Sequence, residues 1–481
     1  MPFVPVSAVD PVYDIVVAGS GFGSLFFVAK VLQQRPQSRI LILEWGAFKN
    51  HDEQLRDARN SDIPPASTFR NENDKEWNFT IGYGGGTNCW FGHTPRLHPN
   101  DFRTQSLYGV GQDWPLAYEE LERFYCEAEA IMQIAGPEDI AAVYPRGRPY
   151  PQPAHHLSTP DEMMKQAQPG LHFALPTARA HIATKTRGAC CGSARCFLCP
   201  VDAKFTAENG LRELTAHPAV SILTGARVTR FDAEGAAVKR AYFETGGRER
   251  SVGGALFVLG ANSIHGPAIL LASGLGTALT GVGLNEQVGF EAEVFLDGVD
   301  AFDGGTITTG VNLSLLDGPF RRDHAGALIY FENRWKFGLR REYGRWRQCL
   351  PLTFVVENPP AATSGVTLAS DGRPLVRYEK SDYAMRGAAA AKSALDKILA
   401  PLPVEAIVDR GWRPTESHLL STLRMGHAPE TSVVDAGQVH HRLRNLVVVG
   451  SSVFPTCPTA NPSLTVAALS LRAAERLLGS S

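Results

Sequence analysis

The chain opens with a short apolar run from Tyr13 to Ala18, followed by Gly19-Ser20-Gly21-Phe22-Gly23-Ser24. The next segment, LFFVAKVLQQ, places its apolar residues at helical spacing and ends near Arg35-Pro36. A second apolar run, Arg39 to Leu43, is closed by Glu44. This pattern predicts strand, turn, helix and strand, the beginning of a βαβ unit.

Residues 46–80 are polar and carry little periodicity, leading into a glycine-rich loop from Gly82 to Trp90. The segment DWPLAYEELERFYCEAEAIM predicts a helix from Asp113, with Pro115 in its first turn and acids early, where the helix dipole favours them. Residues 136–180 are rich in Pro, His and Gly and read as a loop or lid. Helix-like AENGLRELTAH, strands SILTGARVTRF, RAYFET and ALFVLGA, and helix-like PAILLASG come next. From about Gly281 to Asp409 the texture turns to alternation (GFEAEVFLDG, GALIYFENR, QCLPLTFVVE), which predicts an antiparallel sheet. Strand-like NLVVVG and a last helix return to the first texture.

The fold class expected is α/β with an α+β insert. A Rossmann-type dinucleotide-binding domain is split in sequence around an inserted antiparallel-sheet substrate domain. Its parts are residues 1–115, 185–280 and 415–481. The substrate domain takes 116–184 and 281–414.

Length agrees with two or three domains, at roughly 100–200 residues each. The 47 basic and 49 acidic residues leave a net charge of -2 with no basic stripe, which disfavours nucleic acid and anionic membrane as partners. The first twelve residues hold no Lys or Arg and no long apolar run, so no secretory signal is expected. The most apolar stretch, from Ala255, is interrupted by Asn262, Ser263, His265 and Pro267, and falls short of the about 20 apolar residues of a membrane span. A cytoplasmic location is the default expectation.

The Gly19–Ser24 turn carries chemistry because of its context between a strand and a helix. Gly19 permits the tight turn, Gly21 lets backbone approach a pyrophosphate, and the helix N-terminus offers free N–H groups. Ser24 stands where a third glycine is usual and still allows close packing. Glu44 sits where an acid accepts from a ribose hydroxyl. The motif does not separate FAD from NAD.

Near the other end, Asn461 suits a helix N-cap and Pro462 the first helical position, ahead of Ser463-Leu464-Thr465. Together ESHLLSTLRMG, SSVFP and ANPSLT resemble the C-terminal signature of the glucose–methanol–choline (GMC) oxidoreductases. The N-terminal turn with Glu44, DWPLAYEELERFY and VLGANSIHGPAILLASG resemble that family too, so the likeness spans nearly the whole chain. It is nearest in kind to bacterial FAD-dependent glucose and fructose dehydrogenase catalytic subunits and to pyranose oxidases.

The resemblance implies FAD as cofactor, His418 as active-site base and Asn461 as its partner at the flavin. It also implies flavin contacts from Gly19, Ser20, Gly21, Phe22, Gly23, Ser24, Glu44, Trp45, Gly86, Thr87, Asn88, Cys89, Val228, Ser451, Pro462 and Ser463. Oxidation of an alcohol by hydride transfer to flavin N5 requires loss of the hydroxyl proton, and a histidine accepts it near neutral pH. Cys89-Trp90 occupies the place of a His-Trp pair whose histidine bonds flavin covalently in pyranose oxidases. A non-covalent site is therefore favoured, with a thioether at Cys89 the alternative.

Four of the eight cysteines fall between Cys190 and Cys199, a clustering that favours a metal or redox site over a disulfide framework. The segment resembles that of the dehydrogenase subunits that bind a three-iron four-sulfur cluster (3Fe-4S), which implies Cys190, Cys191 and Cys196 as ligands and leaves Cys199 doubtful. A zinc site and packing thiols without metal are the alternatives.

A cluster implies a dehydrogenase passing electrons to a cytochrome or quinone. A small chaperone-like subunit would then give periplasmic co-export as the rival location. An oxygen-using oxidase and a flavin-binding electron-transfer subunit are the competing functions. Substrate identity is not legible, although sugars, glycosides and polyols fit the resemblance. Trp335, Tyr343 and Trp346 read either as core or as a stacking surface.

Overall fold

A computed structural model describes residues 2–479. Along the chain, β1 (Val12–Ala18), α1 (Phe22–Gln34) and β2 (Ile40–Leu43) form the opening unit. Then come α2 (Tyr118–Met132), α3 (Thr159–Ala167) and β3 (His172–Ala174). β4 (Val220–Leu223), β5 (Arg227–Glu234), β6 (Ala237–Thr245), β7 (Arg248–Leu259) and α4 (Asn262–Ala272) follow. The insert supplies β8 (Val288–Leu296), β9 (Thr308–Asn312), β10 (Ala327–Glu332), β11 (Cys349–Val356), α5 (Asp382–Ile398) and β12 (Val404–Trp412). β13 (Leu446–Val448) and α6 (Ser463–Gly479) close the fold.

The first sheet has the order β4-β2-β1-β7-β6-β5, with β13 also on β7. β7 is long enough to serve two ladders. Its first half pairs antiparallel with β6, and its second half runs parallel to β1 and β13. The parallel part is buried on both faces, which is why these strands are nearly continuous Val, Ile and Leu. The second sheet, β12-β8-β11-β10-β9-β3, is antiparallel throughout. One face of it packs on α5 through Ala384, Ala388, Ala391 and Leu395, the alanines allowing close approach. The α/β class with a sheet insert is therefore what the chain adopts. No helix among the described residues is long and apolar enough to cross a membrane.

Three local expectations are corrected. The helix expected from Asp113 begins at Tyr118, so Pro115 precedes it. The Ala117 N–H is met by the Glu120 carboxylate, and that contact sets the start. The same helix was expected with the substrate domain, yet it packs on α6 and shares the first core through Leu121, Phe124, Tyr125 and Met132. The 136–180 segment is not simply a loop. α3 carries a Ser158 capping box, and β3 forms the edge of the second sheet.

Arg96 holds α2 to the segment that follows the glycine-rich loop. Fully buried, it donates to Glu129 at 2.8 Å, to the Tyr118 hydroxyl at 3.0 Å and to the Pro145 carbonyl at 2.9 Å. Removing one partner of such a network leaves desolvated groups unpaired. Arg96→Leu is expected to cost about 3 kcal/mol of unfolding free energy in a urea titration. A loss under about 1 kcal/mol would show the network to be dispensable.

Candidate active site

A single cavity of about 1230 Å³ runs from the Gly19–Gly23 turn to His418 and Asn461. The C-terminal ends of β1, β2 and β7 supply one end of it, the place where open α/β sheets receive ligands. Gly19 turns the chain at φ +90°, and a side chain there would meet the Gly260 carbonyl. Glu44 is fixed by three donors, with the Ser20 N–H at 3.0 Å, the Ser20 hydroxyl at 2.6 Å and the Gly46 N–H at 2.9 Å. Burial raises its pKa, and those donors oppose the shift.

The residues present fit an FAD. A Cβ built on Gly21 meets no protein atom, so the turn faces open space, and Glu44 stands beside it at the end of β2. Arg227 lies 4.7 Å from the Trp45 ring on the same wall.

Of the positions implied as flavin contacts, Gly19, Ser20, Gly21, Phe22, Gly23, Glu44, Trp45, Gly86, Cys89, Val228, Ser451, Pro462 and Ser463 line this cavity. Ser24, Thr87 and Asn88 do not. Ser24 is buried against Gly260, Thr87 accepts from the Ala207 N–H, and Asn88 donates to the Tyr83 carbonyl. These three shape the loops behind the wall. Gly86–Cys89 is one turn of helix, and the Cys89 thiol points back to the Gly86 carbonyl at 3.7 Å.

At the far end, Asn461 Nδ2 lies 3.2 Å from His418 Nε2. Asn461 was expected to cap the last helix. Instead α6 starts at Ser463, the Pro462 carbonyl takes the Val466 N–H, and the Asn461 amide is free to face His418. The Tyr330 hydroxyl donates to Asn461 Oδ1 at 2.5 Å, and Gln287 Oε1 lies 2.9 Å from His418 Nδ1. Withdrawal from water, helped by the Arg413 charge, pushes the His418 pKa down to about 3. The ring is thus neutral at ordinary pH.

Beyond this pair the wall is polar. Glu332 sits at 2% exposure, accepts from Thr308 and Thr353, and pairs with Arg334 at 3.0 Å. Arg413 reaches Glu416 at 3.2 Å, and burial pushes the Glu416 pKa up to about 7. Sequence reading missed Gln287, Tyr330, Glu332, Arg413 and Glu416. Only the nearness of Arg413 and Glu416 to His418 in the chain hinted at any of them. Trp335, Tyr343 and Trp346 are neither core nor cavity wall; they are exposed, Tyr343 fully so.

The cysteine segment lies nearby. Cys190, Cys191, Cys196 and Cys199 line one cavity of about 10 Å³, with Gly192 making the turn at φ +63°. All eight thiols of the chain are free. Cys190 contacts the Thr306 hydroxyl, and Cys199 accepts from the Ala203 N–H. This arrangement does not fit the implied iron–sulfur cluster. The space is too small, and among the described residues no three His, Cys, Asp or Glu side chains are grouped to hold a metal ion. The segment does touch the large cavity. Phe197 lines it, and Lys204 donates to the Asn88 carbonyl at 2.8 Å and to the Phe197 carbonyl at 3.5 Å.

Residues 360–470 match the family model of the C-terminal region of GMC oxidoreductases. The chain is 27% identical to the fructose dehydrogenase large subunit of Gluconobacter japonicus, over 82% of this chain and 80% of that one. It is also 27% identical to the paromamine 6'-oxidase of Streptomyces fradiae, over 98% and 92%. Among solved structures, a formate oxidase superposes with a TM-score of 0.69 at 16% identity, covering 98% of this chain and 99% of that one, which speaks to the fold.

Proposed function

We propose that the chain is a GMC-type, FAD-dependent dehydrogenase oxidising an alcohol group of a sugar, glycoside or polyol, a reading supported by its likeness to that family's C-terminal model and to the two relatives above. The observation that carries this reading is His418 beside Asn461, on the wall of the cavity that begins at the Gly19–Gly23 turn. The flavin, when bound, supplies the two-electron acceptor. His418 Nε2 takes the hydroxyl proton, and Asn461 Nδ2 donates to the same oxygen and holds it in place. The N-terminus of α6 turns its positive end toward the cavity, where negative charge develops. The paired acids and guanidinia of Glu332–Arg334 and Glu416–Arg413 suit a substrate carrying several hydroxyls, since each offers both acceptors and donors.

The likeness to a dehydrogenase large subunit over 82% of the chain supports a dehydrogenase over an oxygen-using oxidase.

The test is absorption spectroscopy of the purified protein under anaerobic titration with a sugar and polyol series. Flavin bands that bleach with substrate, and recover faster with ferricyanide than with air, are the expected result. Failure of every member of the series to bleach the flavin sinks the reading. Fast recovery in air moves it to an oxidase. Iron and sulfide analysis of the same sample reads on the cysteines, since bound iron with sulfide requires residues 190–199 to rearrange around it.

A further inference from the structure

We propose that Gln287 is a positioning residue that fixes His418 in the Nδ1–H tautomer, leaving Nε2 an acceptor at the cavity wall. The inference rests on the role given to His418 above and adds what orients that ring.

The argument starts at two peptide carbonyls, which can only accept. Gln287 Nε2 lies 2.7 Å from the Pro458 carbonyl and 3.1 Å from the Ala460 carbonyl. Both amide hydrogens are therefore used, and the side chain, 1% exposed, has no freedom to flip. Its Oε1 must then face His418 Nδ1 at 2.9 Å. An amide oxygen cannot donate, so the proton between them belongs to Nδ1.

The same logic propagates outward. With Nδ1 protonated in the neutral ring, Nε2 is an acceptor, and Asn461 must present its Nδ2 to it at 3.2 Å. Asn461 Oδ1 is then left to accept from the Tyr330 hydroxyl. Tyr330 is buried, which drives its hydroxyl pKa up and keeps it a donor. Four side chains thus share one direction of donation, set by the Pro458 and Ala460 carbonyls. These two residues belong to the loop that delivers Asn461, so the backbone that places the amide also sets the ring.

The opposite tautomer would aim an N–H at the substrate hydroxyl and could not take its proton. Loss of an orienting partner of this kind costs about 10–100-fold where it has been compared for ligating histidines. Arg413 is the charged group acting on the ring, and among the described residues no carboxylate hydrogen-bonds to it. Nothing ionic competes with Gln287 for Nδ1.

The experiment is long-range ¹H–¹⁵N correlation on the flavin-loaded protein with ¹⁵N-labelled histidine, using His418→Gln to assign the His418 pattern by difference. The wild type is expected to show an amine-type Nδ1 and an imine-type Nε2. Gln287→Leu is expected to lose that pattern for a mixture or for the Nε2–H form. Gln287→Glu keeps an acceptor at Nδ1, so it should retain the tautomer and shift the ring's titration upward by stabilising the protonated form. A wild-type Nε2–H ring, or an unchanged pattern in Gln287→Leu, overturns the proposal. If Gln287→Leu loses flavin and fold, Gln287→Glu decides, since an Nε2–H ring there overturns it equally. The readout needs no substrate, so a protein that oxidises no sugar would leave this result standing.

Discussion

His418→Ala is expected to lower turnover by about 10²–10⁴-fold, the range for losing a positioned general base, while the protein stays flavin-loaded. The two halves of that outcome follow from distance along the cavity. The dinucleotide end is built from the Gly19–Gly23 turn and Glu44, none of which touches His418. The substitution removes the group placed beside Asn461 Nδ2 to take a proton from an oxygen held there. Anaerobic stopped-flow bleaching measures the effect on flavin reduction alone, and the absorbance of the resting protein reports loading. Near-normal bleaching by the variant would falsify the assignment. The direction of pH dependence is also set. A base works when unprotonated, and burial pushes this one down to about 3. The rate should therefore show no acid limb from His418 between about pH 5 and 8.

Gly21→Val should abolish FAD binding and leave the apoprotein as stable as the unsubstituted apoprotein. Gly21 has φ -78°, a conformation open to any residue, and a Cβ there meets nothing in the protein. The space a valine would fill is therefore reserved for something that is not protein. Gly19 makes the control. Its φ of +90° strains any side chain, and a Cβ would lie 2.7 Å from the Gly260 carbonyl, so Gly19→Ala should destabilise the fold itself. Strain of that kind costs on the order of 1–3 kcal/mol. Thermal unfolding of the apoproteins and flavin fluorescence quenching separate the cases. Both comparisons must be made without flavin, because a ligand bound only to the folded state raises its stability. A Gly21→Val protein that still quenches flavin fluorescence would remove the pyrophosphate from this turn.

The opening unit was legible because each signal there is local. Periodicity switches from buried runs to helical spacing within one turn of chain, and Glu44 follows the second run directly. The insert was legible from alternation alone. What escaped depends on partners distant in sequence. Gln287 sits in Asn285-Glu286-Gln287, which looks like a polar turn, and only the carbonyls of Pro458 and Ala460 reveal its use. Tyr330 belongs to a strand buried on both faces, where an aromatic residue reads as core. Asn461 read as a helix cap from the residues alone and as the partner of His418 from the family resemblance, and its amide does face His418. The start of α2 escaped because a proline suits either the first turn or the approach to it, and the Glu120–Ala117 contact decided between them. The cysteines show the converse. Their spacing drew attention to a metal, and their arrangement around so small a space does not reproduce that site.

β1 lies in the middle of its sheet, yet β7, its neighbour on one side, comes from residues 248–259, and α6, the helix packed on α1, is the final helix described. During synthesis the first strand and helix must therefore wait, with their apolar faces bare, until almost the whole polypeptide has left the ribosome. Long waits of this sort slow folding and expose chains to aggregation. A shortened product ending before Leu446 would lack β13, α6 and Asn461 together. Production in cells should thus respond to chaperone supply more sharply than the finished protein's own stability would suggest.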